Sequence, residues 1–547
     1  MDMRRLFLFL IFSFSLIVLW GAWTRQNEPV APVAAATAVP ADPSIPVATA
    51  RPAQQAEVAS APVEAQKAPA GKVIVVTTDA FKVEINTMGG NIQHLDLLQH
   101  KDSKDQTKPL TIMEQQGEHT YVAQSGLLGK GLPTHNAEFS TSGEEFHLAD
   151  GKDTVEVRLT ALDAAVAKVV KVYTFHRASN LIDVAYEIEN HGAEALVPSA
   201  YFQLVRDAIE VGGKSTFVPT YTGPAVYTDL EKFQKIEFSS IEKNKVKLPV
   251  NPDNGWIGML QHYFVSAWLP AAKGPREFYT KQLDAKLFSA GVVLPIASID
   301  PGQTGRISTA LYVGPAQTKL DAIAPGLGLT VDYGWLTIFS TPLFWLMSHI
   351  NDWVNNWGVS IILLTVLIKL AFFPLSAASY RSMAKMRLVA PKLEKIKQQY
   401  GDDRERLNKA MMELYKTEKI NPLGGCLPVL IQIPVFIALY WAILSSVELR
   451  HAPFFGWIHD LSATDPYYVL PLIMGISMLI QSKLNPLPPD PMQAKLMQIM
   501  PIIFSVVFFF FPAGLVLYSV VNNILSITQQ WYITRAAEAA RTGVNKA

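Results

Sequence analysis

The chain has 547 residues, with 47 Lys or Arg against 47 Asp or Glu, so its formal net charge is zero. Charged residues make up 17% and apolar ones 49%. Soluble chains carry about 25% charged residues, so soluble and membrane-embedded parts are expected in one chain, as the mean hydropathy of +0.18 also implies. The zero balance argues against a generally basic, nucleic-acid-coating protein, and no DNA partner is expected. The single cysteine, Cys426, excludes an internal disulfide and any Cys-rich metal site.

Residues 1–5 are short and basic, and 6–23 are apolar apart from Ser13 and Ser15. Such a run is either a signal peptide or an uncleaved anchor. Trp20 and Trp23 flank the small residues Gly21 and Ala22, which suits a peptidase poorly, and about 20 residues span a bilayer. Residues 1–23 therefore read as a transmembrane anchor with Arg4 and Arg5 on the cytoplasmic side. Residues 24–71 are dominated by Ala, Pro and Val without amphipathic period and read as an extended tether.

From 72 to 330 the texture is that of short strands. Residues 72–86 alternate and end at Met88-Gly89-Gly90; 154–162, 168–175, 181–188, 201–205 and 306–313 are further strand-like runs between Gly, Asn, Asp and Pro. Many strands without intervening helices predict an antiparallel β-sandwich, placed outside the cytoplasmic membrane by the anchor. His94, His100, His119, His135, His147, His176, His191 and His262 lie in it without metal-ligand spacing and read as surface histidines.

Residues 331–355 mix Phe, Trp and Leu with Ser, His and Asp, which suits an interfacial amphipathic helix; a core helix of the preceding domain is the alternative. The apolar run 356–375 follows, with one charge, Lys369. Residues 376–422 hold eleven Lys or Arg against six Asp or Glu. Met386, Val389, Leu393, Ile396 and Tyr400 step by three and four, as do Leu407, Ala410, Leu414 and Thr417, the seam of a helical hairpin. Gly401 is expected to end the first helix in a left-handed conformation, with Asp402 capping the second and Glu405 completing a capping box. The basic faces, with Arg381, Lys385, Arg387, Lys392, Lys395, Arg404 and Arg406, suit anionic lipid headgroups, ribosomal RNA or a partner protein, or simply set topology. Further spans are expected at 423–447 and 467–484, separated by loop 448–466. After a cytoplasmic loop at 485–496, the apolar stretch 497–533 is too long for one straight span, and Pro512-Ala513-Gly514 divides it into 497–511 and 515–533. A basic tail, 534–547, completes six spans with both termini in the cytoplasm.

No phosphate loop, HExxH or GxSxG motif occurs, so ATP-driven transport, zinc proteolysis and α/β-hydrolase chemistry lack support. No catalytic residue, cofactor or metal is expected. Lys369 is the sharpest signal, because a cation within a span costs roughly 2.5–3.5 kcal/mol on insertion scales and ordinarily faces protein or water. Snorkelling toward residue 375 is the alternative. Thr365 lies one turn earlier on the same face, and Gln432, Ser477, Gln481, Tyr518, Ser519, Asn522 and Asn523 bring polar groups to other spans. Singly such groups bond helix to helix; together with a cation they predict the wall of a hydrated cavity. A solute transporter with a cationic intramembrane site would share this feature, although inverted repeats are not evident.

The segment Asn421-Pro422-Leu423-Gly424-Gly425-Cys426-Leu427-Pro428, followed by Gln432, Pro434, Phe436 and Leu439-Tyr440, resembles the YidC membrane insertases, bacterial relatives of the mitochondrial Oxa-type insertases. The likeness continues in Met383-Ala384-Lys385-Met386-Arg387 with Pro391-Lys392. It extends through Asp465-Pro466-Tyr467-Tyr468 with Leu470-Pro471, and from Met500-Pro501 through Phe511-Pro512 to Gly514-Leu515-Val516-Leu517-Tyr518. It implies a multidomain membrane protein: a six-span helical part with a cytoplasmic helical hairpin, and a periplasmic antiparallel β-supersandwich akin to sugar mutarotases. It implies insertion, folding and assembly of inner-membrane proteins, alone or with the Sec translocon, without a cofactor. Lys369 then occupies the family's groove cation, usually Arg; Lys keeps the charge and loses the planar five-donor fork. Some members carry a second aromatic after the residue matching Tyr518, where this chain has Ser519. The hairpin is expected to meet the nascent chain, the ribosome and the signal-recognition pathway at a bacterial inner membrane.

Overall fold

The computed structural model describes residues 44–46, 71–102, 105–117, 119–162, 164, 166–209, 221–271, 273–401, 403–418, 427–485 and 491–544. The expected anchor and most of the expected tether lie outside the described residues, as do Asp402 and 421–426. The chain divides into two compact units, one ending at Gly314 and the other beginning at Pro315 and including His262–Phe264.

The first unit is a sandwich of two nine-stranded sheets. One sheet runs in the order Glu277–Asp284, Leu287–Pro295, Ser199–Asp207, His119–Leu128, Pro109–Gln116, Asn91–Lys101, Phe81–Asn86, Val73–Thr77 and Glu145–His147. Its neighbours are antiparallel except at the Glu145–His147 edge, which pairs in parallel with Val73–Thr77. The other runs Lys232–Lys235, Gly223–Thr228, Trp256–Leu260, Phe264–Leu269, Thr304–Pro315, Leu181–Asn190, Ala167–His176, Thr154–Ala161 and Phe139–Thr141. Alternation decides the facing: Phe81, Val83 and Ile85 are buried while Lys82 between them is exposed. Phe202 of the first sheet packs on Trp268 of the second at 5.2 Å and on Tyr186 at 6.2 Å. Burying one such large side chain contributes roughly 1.5–3 kcal/mol.

The alternating run at 72–86 is a hairpin rather than one strand. Thr78 Oγ1 accepts the amides of Ala80 and Phe81 and turns the chain between Val73–Thr77 and Phe81–Asn86. At the next turn Gly89 has φ +79°, and a Cβ there would lie 1.8 Å from the His135 carbonyl oxygen, so only glycine fits. The sandwich strands end at Pro315, short of the expected 330, and three 3₁₀ turns follow, the first at Thr318–Ala322. Several histidines are not on the surface. His135 is 3% exposed, and His262 is half-buried, its Nε2–H donating to the Leu444 carbonyl at 2.8 Å.

The helices are α1, a short piece at Phe238–Glu242, then α2 Thr337–Val354, α3 Trp357–Ala371, α4 Phe373–Tyr400, α5 Arg404–Thr417, α6 Leu427–Ser445, α7 Val469–Leu484, α8 Pro491–Phe508 and α9 Ala513–Val544. Among the described residues no single helix is long and apolar enough to cross a membrane; α3 and α4 qualify together, bent by 67°. The expected straight run to residue 375 therefore breaks at Phe372. Pro374 supplies the reason: it has no N–H to donate and its ring clashes with the carbonyl four residues back. At the end of α4, Gly401 has φ −54°, not a left-handed value. The cap of α5 is Asp403, one residue beyond the expected position, its carboxylate accepting the amides of Glu405 and Arg406, both at 3.1 Å. Helix α9 runs through the expected tail to Val544. Its N-terminus is fixed by amides donated to the carbonyls of Ala463, from Ala513 at 2.7 Å, and of Leu461, from Gly514 at 2.9 Å. Asp465, three residues ahead of the Tyr468 N-cap of α7, accepts from Leu470 N, Tyr467 N and Trp457 Nε1 at 2.8–3.0 Å. The Asp465-Pro466-Tyr467-Tyr468 motif is thus a helix start.

Candidate functional site

Lys369 is in the last turn of α3, beside the bend into α4. Its ammonium donates to Ser526 Oγ of α9 at 2.6 Å, and Ser526 in turn donates to the Asn522 carbonyl at 2.7 Å. Among the described residues no ion pair involves Lys369. Around it a cleft of about 410 Å³, open solvent included, is lined by Ile368, Lys369, Phe372, Leu375, Ser376, Gln432, Val435, Tyr518 and Asn522. Four helices, α3, α4, α6 and α9, contribute to this wall. Tyr518 is held by the Phe436 ring at 6.3 Å.

Of the residues expected at the groove, Lys369, Gln432, Tyr518 and Asn522 converge on the cleft. Thr365 does not line it: the side chain is buried and donates to the Ile361 carbonyl of its own helix at 2.6 Å. Ser519 likewise donates to the Leu515 carbonyl at 2.8 Å. Ser477 donates to Met474 O and accepts from Asn523 Nδ2, both at 2.8 Å, while Gln481 Nε2 donates to Gln530 Oε1 at 3.2 Å. Those two residues form a polar seam between α7 and α9, closed by Gln530 Nε2 donating to Leu484 O and Asn485 Oδ1. Ser526 and Ser376 were missed. Ser526 follows Asn522 by one helical turn, a spacing that puts both on one face.

On the hairpin, Arg381, Lys385 and Lys395 are exposed on α4, and Arg404 opens α5. The others are engaged. Arg387 donates to the Lys483 carbonyl at the end of α7, at 2.8 Å. Lys392 pairs with Glu418 at 2.5 Å, linking the end of α5 back to α4, and Arg406 pairs with Asp403 at 3.2 Å. Val389 is buried and Met386, Leu393, Ile396, Tyr400, Leu407, Ala410 and Leu414 are half-buried along the seam; Thr417 is exposed. Among the described residues no group of three His, Cys, Asp or Glu side chains could hold a metal ion.

The chain thus joins a sandwich of two largely antiparallel sheets to a helical part whose cleft presents the Lys369 ammonium. The YidC periplasmic domain family matches residues 73–346, and the 60Kd inner membrane protein family matches residues 349–540. The membrane protein insertase YidC of Nitrosospira multiformis is 52% identical over 564 residues, covering 100% of this chain and 99% of its own. That of Methylobacillus flagellatus is 54% identical over 545 residues, covering 99% and 98%. A crystal structure described as an active YidC insertase with the first transmembrane domain resolved matches 85% of this chain and 95% of its own, at 18% identity and a TM-score of 0.38. The chain belongs to the YidC family of inner-membrane insertases and is a membrane protein insertase.

Proposed function

We propose that insertion runs through the cleft at Lys369, which receives the polar tail of a nascent inner-membrane protein while apolar segments leave sideways into lipid. The observation that carries this reading is one cleft holding an ammonium, an amide from each of Gln432 and Asn522, and the apolar side chains of Ile368, Phe372, Leu375 and Val435. Polar groups there replace part of the water a tail loses, which lowers the cost of moving unsatisfied polar atoms into an apolar layer. The process calls for no cofactor.

The proposed topology has six spans, formed by 1–23, α3, α6, α7, α8 and the first part of α9. Both termini and the hairpin α4–α5 are then cytoplasmic, and the sandwich periplasmic. Exposed apolar side chains support the lipid contact: Leu472, Ile476 and Ile480 on α7, and Ile502 and Val506 on α8. Helix α2 suits the interface, with Ile338, Phe339, Trp345 and Trp353 exposed while Ser340 Oγ donates to the Ala438 carbonyl of α6. Exposed Arg381, Lys385 and Lys395 are among the hairpin cations proposed to meet the ribosome, the signal-recognition pathway or anionic headgroups, and the Sec translocon is the proposed partner for larger substrates.

Site-specific crosslinking to a stalled nascent membrane protein tests the reading. Probes at Gln432 and Asn522 are expected to capture the chain, and a probe at Thr365, buried against its own helix, is expected to stay silent. Capture at Thr365 with silence at Gln432 would refute the cleft as the route.

A further inference from the structure

The short segment Ser44-Ile45-Pro46 of the tether carries contacts that the insertase reading does not use. Ser44 Oγ bonds His135 Nε2 at 2.9 Å, and the Ser44 carbonyl accepts from Gln203 Nε2 at 3.2 Å. Pro46 is buried, and Ser44 and Ile45 are half-buried.

The receiving side chains are built into the first sheet. The His135 backbone N–H and Nδ1 both bond the Tyr201 hydroxyl, at 3.0 and 2.5 Å, and the His135 carbonyl accepts from Asn91 Nδ2 at 2.9 Å. The two rings meet edge to face at 5.8 Å. The imidazole is therefore fixed in place with Nε2 turned to Ser44. Gln203 is 0% exposed. Its Oε1 accepts from Tyr279 at 2.8 Å, and one amide hydrogen goes to Gln124 Oε1 at 2.8 Å. The second amide hydrogen goes to the Ser44 carbonyl. A carboxamide has two hydrogens to donate, and a buried one left without an acceptor is destabilising. The cradle thus calls for an occupant that brings a carbonyl and a hydroxyl on one short stretch of chain, as the turn at Ser44 and Ile45 does.

We propose that this cradle is a peptide-binding site and that Ser44-Ile45-Pro46 is its resident ligand in cis, a latch that fastens the tether to the sandwich partway along its length. Proline suits the role, because its fixed φ lowers the entropy lost when the segment docks. The consequence is geometric. Twenty residues lie between Trp23 and Ser44, and forty-eight between Trp23 and Lys72. At full extension these reach about 70 Å and about 160 Å. Latched, the domain stays within the shorter reach of residue 23; released, it gains the longer one.

Maleimide modification of Ile45→Cys in the full-length chain, in a Cys426→Ser background, tests the latch. The parent is expected to react more slowly than the same protein in denaturant. Adding Ser44→Ala, a change in the tether that leaves every sandwich residue in place, is expected to raise the rate about fivefold, the worth of one net hydrogen bond. Gln203→Leu is expected to raise it at least as much. Equal rates for parent and both variants, a parent that reacts at the denatured rate, or a rate that rises on dilution, which would mean docking onto a second copy, would each overturn the proposal.

Discussion

Replacing Lys369 by Met removes the only charge in the apolar part of α3 while keeping much of its stem. The structure argues that folding survives this change. Ser526 still donates to the Asn522 carbonyl, so no hydroxyl is orphaned when the ammonium leaves. For an acidic tail residue drawn to about 4 Å from the ammonium, the attraction is about 4 kcal/mol at an effective dielectric constant of 20. Because the cleft is open to solvent, half of that, about 2 kcal/mol, is a fair working value, equivalent to roughly a 30-fold change in rate. Lys369→Met is therefore expected to slow insertion of a substrate with an acidic translocated tail about 30-fold and to leave one with a neutral tail nearly unchanged. Lys369→Glu should be worse for the acidic tail, and Lys369→Arg close to wild type. Protease protection of matched substrates in proteoliposomes reads these rates, with thermal unfolding as the control for folding. Equal insertion of acidic and neutral tails by Lys369→Met would sink the electrostatic role.

In the sandwich, Lys171 is wholly buried, donating to the carbonyls of Gly89 and Gly90 at 3.1 and 2.8 Å, and burial holds its ammonium well below the ordinary lysine value. The unfolded chain then binds the extra proton between that lowered value and 10.5, so stability rises with pH across this window. Denaturant titrations below pH 10 should show the rise in wild type and a flatter profile in Lys171→Met; parallel profiles would refute it. Gly358→Ala in α3 places a Cβ 2.0 Å from Phe454 Cδ2, and a net loss of about 1–3 kcal/mol is expected in chemical unfolding, despite alanine's better helix propensity. Asp403→Ala removes the α5 cap and should cost about 1 kcal/mol locally, read as faster hydrogen exchange at Glu405 and Arg406; unchanged exchange would mean the cap contributes nothing.

Period-two alternation is clearest in Thr154–Ala161, where exposed Glu156 and Arg158 alternate with buried Val157 and Leu159, and the other strands of 154–188 were legible from the Gly, Asn, Asp and Pro that bound them. Alternation failed for Gly223–Thr228, Trp256–Leu260 and Phe264–Leu269, every residue of which is buried. Strands covered on both faces have no polar side to alternate. The turn at Thr78–Ala80 was invisible for another reason: a threonine hydroxyl replaces the usual Gly or Pro signal. At the hairpin the two helices were readable from their seam, and the cap was displaced by one residue because Asp402 and Asp403 are equally good candidates by type.

Composition and hydropathy by themselves determined the division into β-rich and apolar helical parts, the basic loop, and Lys369 as the charge that needs a partner. An ammonium in an apolar run stands out in any context, because its desolvation cost is large. Which polar residues would meet it was decided only by packing. A Ser or Thr in a helix can satisfy its hydroxyl on its own carbonyls three or four residues back, as Thr365, Ser477 and Ser519 do. Gln432 and Asn522 instead line the cleft, and Ser526 meets the lysine across helices 157 residues apart in sequence.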